Sequence, residues 1–238
     1  HAACQMERML AGIPIPLVVT GAMRPLDAPG TDAVQNLAHA FRVARERTAP
    51  GVWVSFAGTP RGASLVLQPA RARKEAFRPD CFQPVWSGPA GRVTGVAEQG
   101  GPVRLTWRQK PASAGRRAAY APRFDLAPAA LFWLHPGFDP RILGQAVRRG
   151  ARGIVLAAYG SGTGCTTPGP YDLAPAVRAA VRAGARVALV SQHYGRVRQA
   201  YGSTAALVRA GAELMPETTP EAALAALMDR HDPETGKP

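Results

Sequence analysis

The sequence predicts an α/β fold in two domains, and three observations predict it. Short apolar runs bounded by Gly or Pro, the pattern of buried strands, recur along the chain. Between them stand stretches with apolar residues at helical spacing, regular at the start and again from about Ala129 onward. Residues 58 to 127 differ in kind, rich in Gly and Pro with short alternating pieces that read as hairpin strands. The expected organisation is a larger, parallel-sheet N-terminal domain over 1–109, a linker over 110–127 and a smaller α/β domain over 128–238.

Taken in order, Ala2 to about Ala11 reads as a helix, so His1 opens the chain within an element and further sequence is expected upstream. Ile15 to Thr20 is an apolar run that ends at Gly21 and reads as a buried parallel strand. Asp32 stands where an N-cap belongs, ahead of Val34, Leu37, Ala38, Phe41 and Val43 at helical spacing. Gly51 to Ala57 is the next strand, so strand, helix and strand form a βαβ unit. Val103 to Trp107 is an alternating hairpin strand, and Lys110 to Pro122 has the composition of an exposed linker.

In the second half, a strand at Leu131 to Leu134 leads to Asp139-Pro140, which starts a helix that Gly150 ends. Strand Gly153 to Ala158 is followed by the loop Gly160-Ser161-Gly162-Thr163-Gly164. Helix Leu173–Ala183, strand Val187–Ser191, helix Gln199–Ala210 and helix Pro220–Met228 complete the alternation, and the polar tail from Asp229 to Pro238 is expected to fray.

Composition bounds the function classes. No run approaches the roughly 18 apolar residues of a membrane span, so no membrane partner is expected. Three widely spaced cysteines, Cys4, Cys81 and Cys165, argue against a disulfide framework and a structural zinc site, and favour a reducing, cytoplasmic compartment. The formal charge of +13 invites a nucleic-acid reading, but the arginines scatter through Ala-, Gly- and Pro-rich sequence rather than forming one tract. That usage favours compositional bias, so a nucleic-acid partner is not expected.

Thr20-Gly21-Ala22-Met23-Arg24-Pro25, then Asp32, then Asn36-Leu37, resembles the strand-end signature of the bacterial L-asparaginase family. Further elements resemble that family in the same order. They are Gly51 to Phe56, Pro136 to Pro140, Gly150 to Leu156, Gly160-Ser161-Gly162, Ser191-Gln192 and Thr218 to Ala223. The resemblance covers nearly the whole chain. It implies two α/β domains, homodimers or homotetramers, and hydrolysis of the side-chain amide of an amino-acid amide such as asparagine or glutamine, without metal or cofactor. It also implies a threonine nucleophile assisted by a Thr-Asp-Lys set, with backbone N–H groups stabilising the oxyanion, because an amide carbonyl is a poor electrophile.

The same resemblance marks where this sequence departs. Aligned on Gly21, both threonines of that set fall before His1, so the 238-residue chain alone is expected to be inactive. The family's lysine position falls on Gln68, which can hydrogen-bond a hydroxyl but can neither carry a charge nor exchange a proton. Lys74 lies six residues further on and would need a rearranged loop to substitute. Thr163 stands where the family has Asn, so Ser161 and Thr163 are candidate contacts to the substrate of a neighbouring subunit, or simply the residues of a tight loop. Arg24 and Asp32 are expected to pair and brace the first strand's loop. The Gly160–Gly164 loop lacks the spacing and following acidic residue of a dinucleotide site. His39 and His193 read as packing or surface residues, and Cys165 has no partner motif that would make it a nucleophile.

Overall fold

A computed structural model gives the fold. The structure describes residues 1–59, 61–75, 81–96, 100–108, 120, 122–193 and 201–229. It divides into two compact units, Ala2–Arg123 and Phe124–Pro238 together with His1.

In the first unit, helix α1 (Ala2–Met9) leads to strand β1 (Pro16–Val19), helix α2 (Ala33–Ala44) and strand β2 (Gly51–Phe56). The expected βαβ unit forms, with β1 and β2 parallel from Pro16↔Gly51 to Val19↔Val54. The hairpin strands then extend the same sheet in the antiparallel sense. They are β3 (Ser64–Leu67), β6 (Gly91–Thr94) and β7 (Arg104–Trp107), giving the order β1-β2-β3-β6-β7. The sheet is therefore mixed, parallel only at its first pair. A separate two-stranded ribbon, β4 (Ala72–Lys74) with β5 (Phe82–Pro84), follows a 3-10 turn at Pro69–Arg71. Sequence pattern did not separate this ribbon, because three-residue strands carry too little alternation to read. Most of the Lys110–Pro122 segment lies outside the described residues.

One face of this sheet is apolar and covered by α2. Trp53, Val66 and Val93 are buried there with Val43 of α2, and Trp107 packs against Trp53 with ring centroids 5.1 Å apart. Successive strand residues point to opposite faces. The alternate residues of β6 and β7, Arg92, Thr94, Arg104 and Thr106, therefore face the other way and are exposed.

The second unit is a fully parallel sheet in the order β11-β10-β9-β8. Its strands are β8 (Ala129–Trp133), β9 (Gly153–Ala158), β10 (Arg186–Ser191) and β11 (Glu213–Leu214). Its helices are α3 (Arg141–Arg148), α4 (Leu173–Arg182), α5 (Gly202–Arg209) and α6 (Pro220–Met228). Each residue of β9 is buried, as a parallel strand covered on both faces requires. Ile154, Leu156 and Ala158 pack with Leu143, Val177 and Leu207 of α3, α4 and α5. Val155 and Ala157 pack on the opposite face with Ala223 and Leu227 of α6.

The punctuation read from sequence has physical causes. Gly150 follows α3 at φ +94°, a left-handed stop that costs glycine little. Asp172 accepts the Ala174 N–H at 3.0 Å to cap α4, and Thr219 accepts the Ala222 N–H at 3.1 Å to cap α6. The first residues of the expected Gln199–Ala210 helix and the tail beyond Asp229 lie outside the described residues. Among the described residues no helix is long and apolar enough to cross a membrane.

Candidate functional site

Parallel α/β sheets bind ligands at the carboxyl ends of their strands, and in the first unit that end is held by one hydrogen-bonded clamp. Asp32 is 1% exposed and its carboxylate takes four contacts from donors. The Met23 N–H reaches both oxygens at 2.9 and 3.0 Å, the Arg24 N–H reaches Oδ1 at 3.1 Å, and Asn36 Nδ2 donates to Oδ2 at 2.9 Å. Asn36 is itself buried and bonds the peptide groups of Ala57, just past β2. Its Nδ2 donates to the Ala57 carbonyl at 2.9 Å and its Oδ1 accepts the Ala57 N–H at 2.6 Å. The loop after β1 and the end of β2 are thus fixed to the first turn of α2.

Two expectations are corrected here. Asp32 occupies the N-cap position, yet its side chain caps no N–H of α2. The Thr31 hydroxyl takes the Ala33 N–H instead, at 3.1 Å, which releases the carboxylate for the loop. Arg24 meets Asp32 through its backbone N–H, while its guanidinium donates to the Pro29 carbonyl at 3.2 Å. The two residues meet through the Arg24 backbone, and among the described residues no guanidinium–carboxylate pair joins them.

A second buried network ties the same helix to two loops. His39 is fully buried, its Nε2 is 3.0 Å from the Gly95 carbonyl and its Nδ1 is 2.8 Å from Ser64 Oγ. A carbonyl only accepts, so Nε2 carries the hydrogen and Nδ1 accepts from the serine hydroxyl. Gln35, one turn earlier, donates through Nε2 to the carbonyls of Gly62 at 3.1 Å and Gly95 at 2.7 Å. Burial holds the His39 pKa below its ordinary value, opposed by the Gly95 carbonyl. The imidazole is a neutral structural group, consistent with a packing role. Gln35 and His39, at i and i+4, lie on one face of α2 and so donate to the same Gly95 carbonyl.

Gln68 follows β3 in extended backbone (φ −72°, ψ 134°) and is exposed. It lines a small cleft with Leu67, Arg71, Pro84, Ser87 and Gly88. Arg71 Nη1 donates to Ser87 Oγ at 3.2 Å in that cleft. Lys74 stands on β4 with its ammonium 5.9 Å from the Phe82 ring centroid, a cation–π position. Trp86 adjoins the cleft in the left-handed region at φ +61°, which is strained for a large side chain. Two buried hydroxyls at the strand ends, Thr20 Oγ1 and Ser55 Oγ, have no hydrogen-bond partner among the described residues. Pattern reading gives no signal for Trp86, Thr20 or Ser55, because nothing local in sequence marks a strained or unpartnered group.

In the second unit the loop after β9 closes as a tight turn. Gly162, at φ +82°, donates its N–H to the Tyr159 carbonyl at 2.7 Å, and the Tyr159 N–H donates to the Thr163 carbonyl at 3.1 Å. Ser191 Oγ donates to the Gly160 carbonyl at 2.9 Å and Thr204 Oγ1 to the Gly162 carbonyl at 3.2 Å. Ser161 and Thr163 are half-buried at the rim of this turn. A cavity of about 200 Å³ beside it is lined by His135, Phe138, Tyr159, Tyr171 and the exposed Cys165. His193 is exposed, with its N–H on Ser191 Oγ at 3.0 Å. All three cysteines are free thiols. Among the described residues no group of three or more His, Cys, Asp or Glu could hold a metal ion.

Two α/β units, each with loops braced at the carboxyl ends of parallel strands, define a two-domain α/β protein. The N-terminal domain of the asparaginases matches over residues 1–109, and the glutaminase/asparaginase C-terminal domain over residues 130–229. The chain belongs to the asparaginase family. It is 28% identical over 233 residues to a glutamyl-tRNA(Gln) amidotransferase subunit of Pyrococcus abyssi, covering 96% of this chain and 50% of that protein. It is 30% identical over 162 residues to an L-asparaginase of Thermococcus kodakarensis, covering 68% of this chain and 45% of the relative. The solved thermostable L-asparaginase from Thermococcus kodakarensis superposes with a TM-score of 0.77 at 28% identity, over 95% of this chain and 64% of that one. L-asparaginase I from Vibrio cholerae has the same fold, with a TM-score of 0.71 at 22% identity, over 94% of this chain and 64% of that one. The chain spans about half the length of the curated relatives it matches.

Proposed function

We propose that this chain serves an asparaginase-type amidohydrolase that hydrolyses the side-chain amide of L-asparagine or L-glutamine to the acid and ammonia. The observation that carries the reading is the Asp32–Asn36 clamp, which folds the family signature into a fixed loop at the strand ends. Such fixed backbone suits a reaction that depends on donors placed in advance around a developing oxyanion. The resemblance aligns the attacking threonine ahead of His1, and on that reading the 238-residue chain by itself releases no ammonia. Gln68 would orient a hydroxyl by hydrogen bonding where relatives place a lysine, and Ser161 and Thr163 would reach the substrate of a neighbouring copy in a homodimer or homotetramer.

The test is ammonia release from L-asparagine and L-glutamine by the product of the gene that carries this chain. Release from either supports the reading. Tight amide binding with no release would replace it with that of a binding protein on the same fold. A second reading is favoured by the relatives that carry the amidotransferase name. It is that ammonia passes to an acceptor aminoacyl-tRNA with a partner protein, and it requires release that depends on the charged tRNA.

A further inference from the structure

Three arginines far apart in sequence come together in space. Arg92 on β6, Arg104 on β7 and Arg108 just beyond it share the sheet face that points away from α2. Arg92 stands opposite Thr106, and Thr94 opposite Arg104, so two hydroxyls lie between the guanidinium groups. Alternate residues of a strand repeat at about 6.8 Å, and neighbouring strands lie about 4.8 Å apart. Three positive charges therefore stand within about 14 Å along one strand pair.

Among the described residues none of the three guanidiniums has an ion-pair or hydrogen-bond partner. The open groove across this face is lined by Leu65, Gln83, Arg92, Thr94, Thr106 and Arg108 among others, and among the described residues by no carboxylate. The Arg108 guanidinium lies over Gly88, where a Cβ would collide with it. Unpaired like charges this close repel within a Debye length and destabilise the bare face. A bound polyanion removes that repulsion.

We propose that this face binds the phosphodiester backbone of a duplex nucleic acid. The repeat of Arg104, Thr106 and Arg108 at about 6.8 Å, along β7 and the residue just beyond it, supplies alternating charged and hydroxyl donors, the two kinds of group that contact phosphate oxygens. Recognition is of backbone and not of bases. Trp53 and Trp107 point to the opposite face and pack under α2. On this side Phe56 is buried against the half-buried Phe82, ring centroids 5.1 Å apart, so among the described residues no fully exposed ring offers single-stranded bases a stacking platform. Binding is therefore independent of sequence and steep in salt. The proposal stands apart from the amide chemistry, and its failure would leave the reading of the strand-end clamp untouched.

The test is fluorescence anisotropy of the 238-residue chain with a duplex RNA of arbitrary sequence, the matching duplex DNA, either single strand, and polyglutamate. The Arg92→Gln, Arg104→Gln, Arg108→Gln triple variant is expected to weaken duplex binding by about tenfold or more near 100 mM salt. The slope of log K against log salt is expected to become shallower by about 0.9 for each lost phosphate contact. The same variant is expected to melt at a higher temperature, because self-repulsion is relieved, which also shows that it folds. A control triple, Arg178→Gln, Arg182→Gln, Arg209→Gln, removes the same charge from exposed positions of the second unit and should bind like the parent. Preference for RNA or for DNA duplex would name the source of the backbone. The proposal is overturned if the control weakens binding as much, if polyglutamate or single strands bind as tightly as duplex, or if no duplex binding is measurable.

Discussion

Asn36 donates a 2.9 Å hydrogen bond to the Asp32 carboxylate and, with the other end of its amide, accepts the Ala57 N–H at 2.6 Å. One buried side chain thus joins the loop after β1 to the end of β2 through the start of α2. Truncating it leaves a carboxylate short of a donor and the Ala57 peptide unpaired, both out of water. Hydrogen bonds to charged groups contribute about 1.5–3 kcal/mol, and an orphaned buried group costs about 1–3 kcal/mol. Asn36→Ala is therefore expected to destabilise the protein by about 2–4 kcal/mol, read from the denaturant midpoint. A change below about 0.5 kcal/mol would mean the clamp is not holding the strand ends.

His39 makes stability depend on pH in a defined direction. Its folded pKa lies below the ordinary 6.5, because burial penalises the charged ring. Between the folded value and 6.5 the unfolded chain binds more protons than the native one. Stability from this group is complete above 6.5 and is lost as pH falls through that window. Equilibrium unfolding from about pH 8 to 5 should show the decline, and His39→Gln, which keeps polar atoms but does not titrate, should flatten it. An unchanged profile in the variant would assign the decline to other groups.

Ser55 is fully buried on β2 with a hydroxyl that finds no partner among the described residues. Replacing it with alanine removes an unsatisfied polar group at almost constant shape. Ser55→Ala is expected to leave stability unchanged or raise it by about 1 kcal/mol, measured by thermal melting. A clear loss would show that the hydroxyl is bonded in solution.

Gly153 opens β9 where α6 crosses closely. A Cβ there would stand 2.6 Å from the Leu227 Cβ and 3.2 Å from the Ala129 Cβ. Backbone-borne atoms cannot swing aside, so α6 must shift. Gly153→Ala is expected to cost about 1–3 kcal/mol in the second unit, visible as a lowered melting temperature. An unchanged melting temperature would show that α6 is free to move.

The elements that the sequence states well are those whose signals are local. Gly150 with φ above zero, Asp172 and Thr219 as caps, and the unbroken apolar run of β9 are each decided by a few adjacent residues. The clamp is half legible. Asp32 and Asn36 stand out by resemblance, but Asp32 reads as a helix cap, and only the fold shows Thr31 taking that task. The ribbon of β4 and β5 is too short to carry a period. The basic face is invisible in one dimension, because positions 92, 104 and 108 share a face only through the β6–β7 register. Arginine counted along the chain suggests compositional bias, whereas arginine placed on the sheet marks a surface.

The most direct measurement of the central claim is the initial rate of ammonia release from L-asparagine and from L-glutamine by the product of the gene that carries this chain, with Gln68 and with Gln68→Lys. Gln68 is exposed, so the exchange should not disturb folding. A positioned proton-transfer group contributes about 10²–10⁴-fold. The account predicts measurable release from the parent and an increase of about tenfold or more in kcat with lysine. No release from either protein, or a rate that lysine leaves unchanged, would contradict it.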